Sequence, residues 1–334
     1  MKVSSVVTEA TSSNDNLPNP PLRIVNTTLI SVAAAPSVLV PATVQPFIRP
    51  KLVRTLPPPK KNTDPALCSD YIDDMYHLFF KMEGDFTPAL YMSTQPDITF
   101  RMRAILIDWL IEVHNKFKLH PATLWLCVNI LDRYLSKVII VRQKLQLIGI
   151  ASLLIACKYE EIYPPEVDDC VYMTDKAYSR EEVISTESDI LNKLNYQLVV
   201  PTGYHFLTRF LDFIKASERT RNLAYYYAER NLQEYDTLKV KPHIFVCACI
   251  YLALLQQKYQ YGSAFCTGIV WQPSIASYTG VTERELTDTA RIVIKHVSEE
   301  QETASKRKLL AAKKKFASEK FNRVSTLDLP PLYF

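Results

Sequence analysis

Six histidines, seven cysteines and 35 carboxylates are available for chemistry in this 334-residue chain, and their spacing builds none of the usual constellations. There is no glycine-rich phosphate loop, no Gly-x-Ser-x-Gly turn and no His-Glu-x-x-His helix. The histidines, among them His114, His120 and His205, stand singly, and lone histidines are more often ordinary surface or core positions than catalytic ones. The cysteines are odd in number, with Cys247 and Cys249 the closest pair and no Cys-x-x-Cys. Cys157, Cys247 and Cys249 lie in apolar runs, so buried free thiols in a reducing compartment are expected rather than a structural zinc. No catalytic residue, metal or cofactor is expected.

What remains is chemistry of recognition. Lys158 closes an apolar helical run and Glu187 sits inside a later helix; from the residues alone both read as solvated helix charges. Arg103 lies in an otherwise apolar helix, where a charge needs a partner. Met102, Ile105, Leu106 and Trp109 form a stripe at spacings of three, four and seven, which is usually core. Yet Ile107, Leu110, Ile111 and Val113 already supply apolar residues to the other faces. One face can therefore stay uncovered, and a Trp beside a Met suits a shallow recognition groove.

The elements that must position these residues are helices. Only six glycines occur, all at Gly84 or later, and turn-rich sheet proteins need more. Eleven of the 21 prolines lie between Pro18 and Pro65, so residues 1–65 read as a disordered regulatory tail joined to a helical remainder. A short leading helix from Tyr71 ends near Gly84. Helices then follow at 100–117, from Pro121 to about 135, and at 145–157, the last apolar nearly all round and so central to a bundle. Tyr163-Pro164-Pro165-Glu166 breaks the chain before a short helix. Ser179-Arg180-Glu181-Glu182 is a capping box opening a helix to Leu194. The plan repeats with helices at 202–214, 220–235 and 242–256, and a second capping box at Thr282-Glu283-Arg284-Glu285. A shift of 97 residues lays Leu131-Asp132-Arg133-Tyr134-Leu135 over Ala228-Glu229-Arg230-Asn231-Leu232, and Ala151 and Ala156 over Ala248 and Ala253, at low identity but with the helices in the same order. The expected fold is all-α: two tandem five-helix bundles over 66–198, which includes the leading helix, and 199–300. A basic helix and tail follow over 301–334, with Leu309, Leu310 and Phe316 resting on the second bundle.

Charge and hydropathy narrow the partners. Residues 1–65 hold seven Lys/Arg against three Asp/Glu, which accounts for the net charge of +4 and leaves the remainder neutral. No field for nucleic acid results, and direct nucleic-acid binding is not expected. The apolar stretch at 29–44 is 16 residues long and interrupted by Pro36 and Pro41, short of the roughly 20 residues a spanning helix needs. No membrane association is expected; the cytoplasm and nucleus are.

Several motifs now point to a family. Met102-Arg103-Ala104-Ile105-Leu106-Ile107-Asp108-Trp109-Leu110 resembles the opening helix of the cyclin box in mitotic A- and B-type cyclins. Leu131-Asp132-Arg133-Tyr134-Leu135, Lys144-Leu145-Gln146-Leu147 and the run from Cys157 to Glu166 are similar to the same family, in order and at the expected spacing. The resemblance is strongest from about 95 to 200, looser across the second box, and returns at Lys320-Phe321-Asn322-Arg323-Val324-Ser325. Phe206-Leu207-Thr208-Arg209-Phe210 is similar to A-type members, whereas Asp168-Asp169 with Tyr172-Met173-Thr174-Asp175 fits either type.

The resemblance implies a regulatory, activating subunit of a cyclin-dependent serine/threonine kinase, paired one to one with it and controlling the passage from G2 into mitosis. It implies that Lys158 and Glu187, with Tyr159 and Tyr196, grip the kinase's regulatory helix. Met102, Ile105, Leu106, Trp109, Glu112 and Gln146 would form a docking patch for substrates or inhibitors bearing an Arg-x-Leu motif, Glu112 drawing the arginine and the apolar residues the leucine. Arg103 and Asp132 would pair as scaffold across adjacent helices. Arg49 and Leu52 fit a minimal destruction box, which implies the anaphase-promoting ubiquitin ligase as a further partner, with Lys51, Lys60 and Lys61 nearby as acceptors. The alternative is a transcription factor of the IIB type, which shares the tandem fold. It would bring an N-terminal zinc ribbon and a basic face, but residues 1–65 contain no cysteine and the boxes carry no positive excess.

Overall fold

The computed structural model describes residues 70–261, 269–302 and 309–330, which contain twelve α-helices and no strand. A first bundle is built from α2 (Phe100–Phe117), α3 (Pro121–Leu135), α4 (Leu145–Glu160), α5 (Val167–Met173) and α6 (Arg180–Lys193). A second repeats the plan with α7 (Gly203–Phe213), α8 (Glu218–Asn231), α9 (Pro242–Tyr261), α10 (Pro273–Thr279) and α11 (Glu283–Glu302). Before them runs α1 (Ile72–Met82), and after them α12 (Ala311–Phe316).

The two central helices are α4 and α9. Every residue of α4 from Leu147 to Cys157 is buried, because no side of that segment carries a charge to direct toward water. In α9 the run from Phe245 to Ala253 is buried likewise. The helix starts follow the capping chemistry. Ser179 Oγ accepts the Glu182 N–H at 3.2 Å while Glu182 Oε2 takes the Ser179 N–H at 2.8 Å. Thr282 and Glu285 make the same reciprocal pair at the head of α11. The five described cysteines, Cys127, Cys157, Cys170, Cys247 and Cys249, are buried free thiols.

Three placements differ from the sequence expectations, each for a physical reason. The leading helix α1, grouped with the first box by its place in the chain, packs on the second. Its aromatic face supplies the cause: Phe79 and Phe80 meet Phe206, and the Tyr76 hydroxyl donates to the His205 carbonyl at 2.8 Å. Helix α8 stops at Asn231 instead of continuing to 235. The carbonyls of Leu232 and Gln233 turn away from the helix axis to accept from Arg103 Nη1 at 3.2 and 3.1 Å. Finally, α12 does not rest on the second bundle alone. Ala311 and Ala312 belong to the first core and Phe316 to the second.

The seam between the bundles is therefore knit from several sides. Trp125 of α3 is buried in the second core, and α7 can approach it only because position 203 is glycine. A Cβ on Gly203 would meet the Trp125 ring at 2.5 Å. Asp108 of α2 accepts from Gln233 Nε2 and from the Ala311 N–H, both at 2.9 Å, so one carboxylate ties three segments together. Burial raises the Asp108 pKa, against the lowering effect of those two donors. Lys315 and Glu229 form a buried pair at 2.7 and 2.8 Å.

Two buried histidines make this architecture acid-sensitive. His114 Nε2–H donates to the His120 carbonyl at 2.9 Å, whereas its Nδ1 is buried without a partner. Burial, aided by nearby Lys315, lowers the His114 pKa below its ordinary 6.5, and burial lowers that of His205 too. A lowered histidine pKa means the unfolded chain binds the proton first, so stability is complete above about 6.5 and is lost as pH falls through the folded-state values. The expected result is a melting temperature that falls as the pH drops below about 6.5. In thermal unfolding across that range, His114→Gln should flatten part of the slope; an unchanged slope in the variant would remove His114 from the account.

Candidate functional site

Lys158 emerges at the last turn of α4, where the helix leaves the core. Its Nζ lies 2.6 and 2.8 Å from the two carboxylate oxygens of Glu187 on α6. The lysine side chain is about half exposed (48%) and the glutamate nearly covered (11%). Charge therefore reaches the surface on the lysine alone, seated on a carboxylate that holds its direction. Two tyrosines stand bare on the chain just after α4's lysine and just after α6. Tyr159 follows Lys158 and is 47% exposed; Tyr196 is 63% exposed. Asn195 and Tyr196 both adopt positive φ, 53° and 56°, turning the chain out of α6 so that the Tyr196 ring stands clear. Such a pair of left-handed non-glycine residues costs roughly 1–2 kcal/mol each, which the surrounding fold must hold in place.

Two residues of this face escaped the sequence reading. Ile162 and Tyr163 are 87% and 90% exposed, the barest large apolar side chains of the face. The signal was present in the Tyr-Pro-Pro run after α4, because the prolines bar further helix and leave the preceding residues with nothing to pack on. Lys158, Tyr159, Ile162, Tyr163, Glu187 and Tyr196 thus come from the end of α4, the loop between α4 and α5, the middle of α6 and the turn that follows it.

The second set lies along α2. Ile105 is half exposed, Met102 and Trp109 are half-buried, and Glu112 is exposed. Leu106 is buried beneath them, close enough to α4 that a Cβ on Gly149 would meet its Cδ1 at 2.7 Å. Gln146, at the head of α4, is half-buried. The stripe is thus neither core throughout nor bare throughout: Leu106 anchors it while Met102, Ile105 and Trp109 are open to contact. Glu112 is not isolated, since Lys314 Nζ stands 4.0 Å from its Oε1.

Arg103 and Asp132 sit apart from both faces. Their side chains are each 1% exposed and meet in a two-point fork, Nε to Oδ1 and Nη2 to Oδ2, both at 2.7 Å. The Tyr91 hydroxyl donates to Asp132 Oδ1 at 2.7 Å as well. Burial works against the guanidinium charge, but the carboxylate beside it outweighs burial and raises the Arg103 pKa. Tyr235 joins the same knot. Its hydroxyl accepts the N–H groups of Tyr91 and Met92, and its ring meets that of Tyr91 edge-on at 5.2 Å. Arg49 and Leu52 lie outside the described residues.

Comparison with known proteins agrees with this architecture. The profile of the cyclin N-terminal domain matches residues 74–199, and that of the cyclin C-terminal domain matches residues 201–330, which takes in α12. The chain belongs to the cyclin family. Among its relatives, cyclin-B1-1 of Oryza sativa subsp. japonica is 38% identical over 77% of this chain and 56% of its own length. Cyclin-B1-2 of Arabidopsis thaliana is 40% identical over 67% of this chain and 48% of its own, and G2/mitotic-specific cyclin-2 of Antirrhinum majus is 41% identical over 70% and 51%. The chain spans about half the length of the curated relatives it matches. In fold it is similar to a solved viral cyclin from herpesvirus saimiri, with a TM-score of 0.54 and 24% identity over 63% of this chain and 90% of that one.

Proposed function

We propose that this cyclin is the non-catalytic regulatory subunit of a cyclin-dependent serine/threonine kinase acting at entry into mitosis, with the α4–α6 face as its kinase-binding surface. One observation carries the reading. A lysine held on a carboxylate ends α4, and the adjoining loop and the turn after α6 leave Tyr159, Ile162, Tyr163 and Tyr196 exposed by 47%, 87%, 90% and 63%. Apolar anchors around one oriented charge are what the centre of a protein interface looks like.

The mechanism is a shift of populations. A kinase whose regulatory helix can stand in or out is drawn to the inward state by a partner that binds that state better. Converting nearly all of it requires a differential affinity of about 5 kcal/mol. A face of this kind supplies such a difference through Lys158 and Glu187, which are donor and acceptor to the helix backbone, while the aromatic residues bury its apolar side. ATP, magnesium and phosphoryl transfer all belong to the kinase. The patch of Met102, Ile105, Leu106, Trp109, Glu112 and Gln146 would hold Arg-x-Leu segments of substrates close to that active site. Residence in nucleus and cytoplasm, and turnover through Arg49 and Leu52 by a ubiquitin ligase, belong to the same proposal.

The test is histone-kinase activity in material co-purified with the tagged, full-length chain. Activity that rises with the amount of tagged protein and requires ATP is expected. Its absence from correctly folded protein would remove the kinase-regulator reading.

A further inference from the structure

The docking face on α2 does not end at Glu112. Residues 102, 105, 109, 112 and 116 recur at spacings of three and four and so share one face of the helix, which makes Lys116 the next residue of the stripe. At that end α2 runs beside the C-terminal segment, and the two enclose a cleft lined by Glu112, Asn115, Lys116, Lys314, Lys320 and Phe321. Lys116, Lys314 and Lys320 are exposed there. Lys315, which also reaches the cleft, is committed to the buried Glu229. Three exposed lysines and one carboxylate therefore line the cleft, the Lys116 ammonium over the Tyr172 ring at 5.0 Å and that of Lys320 over Phe321 at 5.4 Å.

We propose that this cleft extends the docking face and receives acidic side chains that stand before the arginine of an Arg-x-Leu peptide. The inference rests on the docking reading of Met102, Ile105, Leu106 and Trp109, and adds to it the class of peptide preferred. The order of contacts fixes the direction. With the leucine over Met102 and Ile105 and the arginine at Glu112, the peptide's preceding residues run on toward Lys116. Four residues of helix span about 6 Å, which two extended peptide residues cover, so acidic groups two to four positions before the arginine reach the lysines. The charges also sort better with such a ligand than without it. Lys314 stands 4.0 Å from Glu112 and competes with the peptide's arginine for that carboxylate. An acidic group in the cleft draws Lys314 away and leaves Glu112 to the arginine.

The experiment measures binding of two fluorescent peptides to the full chain by polarisation. Both carry one Arg-x-Leu core, preceded by three glutamates in one and three glutamines in the other. The glutamate peptide is expected to bind about tenfold more tightly at low salt, from three solvent-exposed charge contacts. Raising the ionic strength should shrink that advantage, as screening demands. In K116Q/K314Q/K320Q the advantage should vanish while the glutamine peptide binds as it does to the wild type. Equal binding of the two peptides to the wild type, or a preference that survives in the triple variant, overturns the cleft. If the glutamine peptide binds and loses binding in Trp109→Ala, the docking face stands whatever the flank does. If neither peptide binds the wild type, the docking face falls and this extension falls with it.

Discussion

Arg103→Ala should lower the folding stability of this cyclin by about 3–5 kcal/mol, the cost of stranding one member of a buried ion pair. The substitution leaves the Asp132 carboxylate, 1% exposed, facing the Tyr91 hydroxyl alone. It also strips two carbonyls, Leu232 and Gln233, of the guanidinium they turn toward. Against a total of about 5–15 kcal/mol, such a loss is a large fraction of the whole. Arg103→Lys should recover little, because one ammonium cannot replace a fork that reaches Asp132 with two nitrogens and the second bundle with a third. Replacing both partners, with Arg103→Met and Asp132→Leu, should restore part of the stability by removing the stranded charge. Urea unfolding followed by circular dichroism reads all three variants. A loss under 1 kcal/mol for Arg103→Ala would show that water reaches Asp132 and would overturn the buried-pair account.

Lys158→Ala combined with Glu187→Ala should reduce affinity for the kinase by about 30-fold to several thousand-fold, corresponding to the ~2–5 kcal/mol lost with buried interface charges. The stability of the free chain should hardly change. The pair is half open to solvent on the lysine side, and exposed ion pairs contribute about 0–1 kcal/mol to folding. This separation of a large binding effect from a small folding effect is what distinguishes an interface pair from a scaffold pair such as Arg103–Asp132. Lys158→Met alone should cost more folding stability than Glu187→Ala alone, because it strands a nearly covered carboxylate, whereas the half-exposed lysine can turn to water. The measurement is kinase recovered on the tagged cyclin, set beside its melting temperature. Equal recovery with the double variant would detach the α4–α6 face from kinase binding.

Much of this was legible in the residues, for reasons that can be named. The run ending in Cys157 has no polar side, so it had to be central, and two capping boxes fixed the heads of α6 and α11. Arg103, a charge in an apolar helix, announced a need for a partner. Its further reach to Leu232 and Gln233 did not show, because a carbonyl 129 or 130 positions away leaves no periodic trace. The docking of α1 on the second bundle was hidden for the same reason: its stripe shows that a face is buried, not against what. The Met102–Trp109 stripe was ambiguous between core and surface, and the answer is divided along it, with Leu106 below and Ile105 above. The lysine-lined cleft was invisible in a basic stretch that reads as a solvated helix, since Lys116 lies some two hundred positions away from Lys314.

The bridging role of α12 bears on how the protein is made. Ala311 supplies an N–H to Asp108, and Lys315 covers Glu229, yet both lie in a segment translated after the two bundles. About eighty residues separate Gln233 from Ala311, which at roughly 5–20 residues per second is roughly 4–16 s of synthesis. Through that interval Glu229 lacks its lysine, Asp108 holds only the Gln233 donor, and both cores lack the side chains that α12 adds.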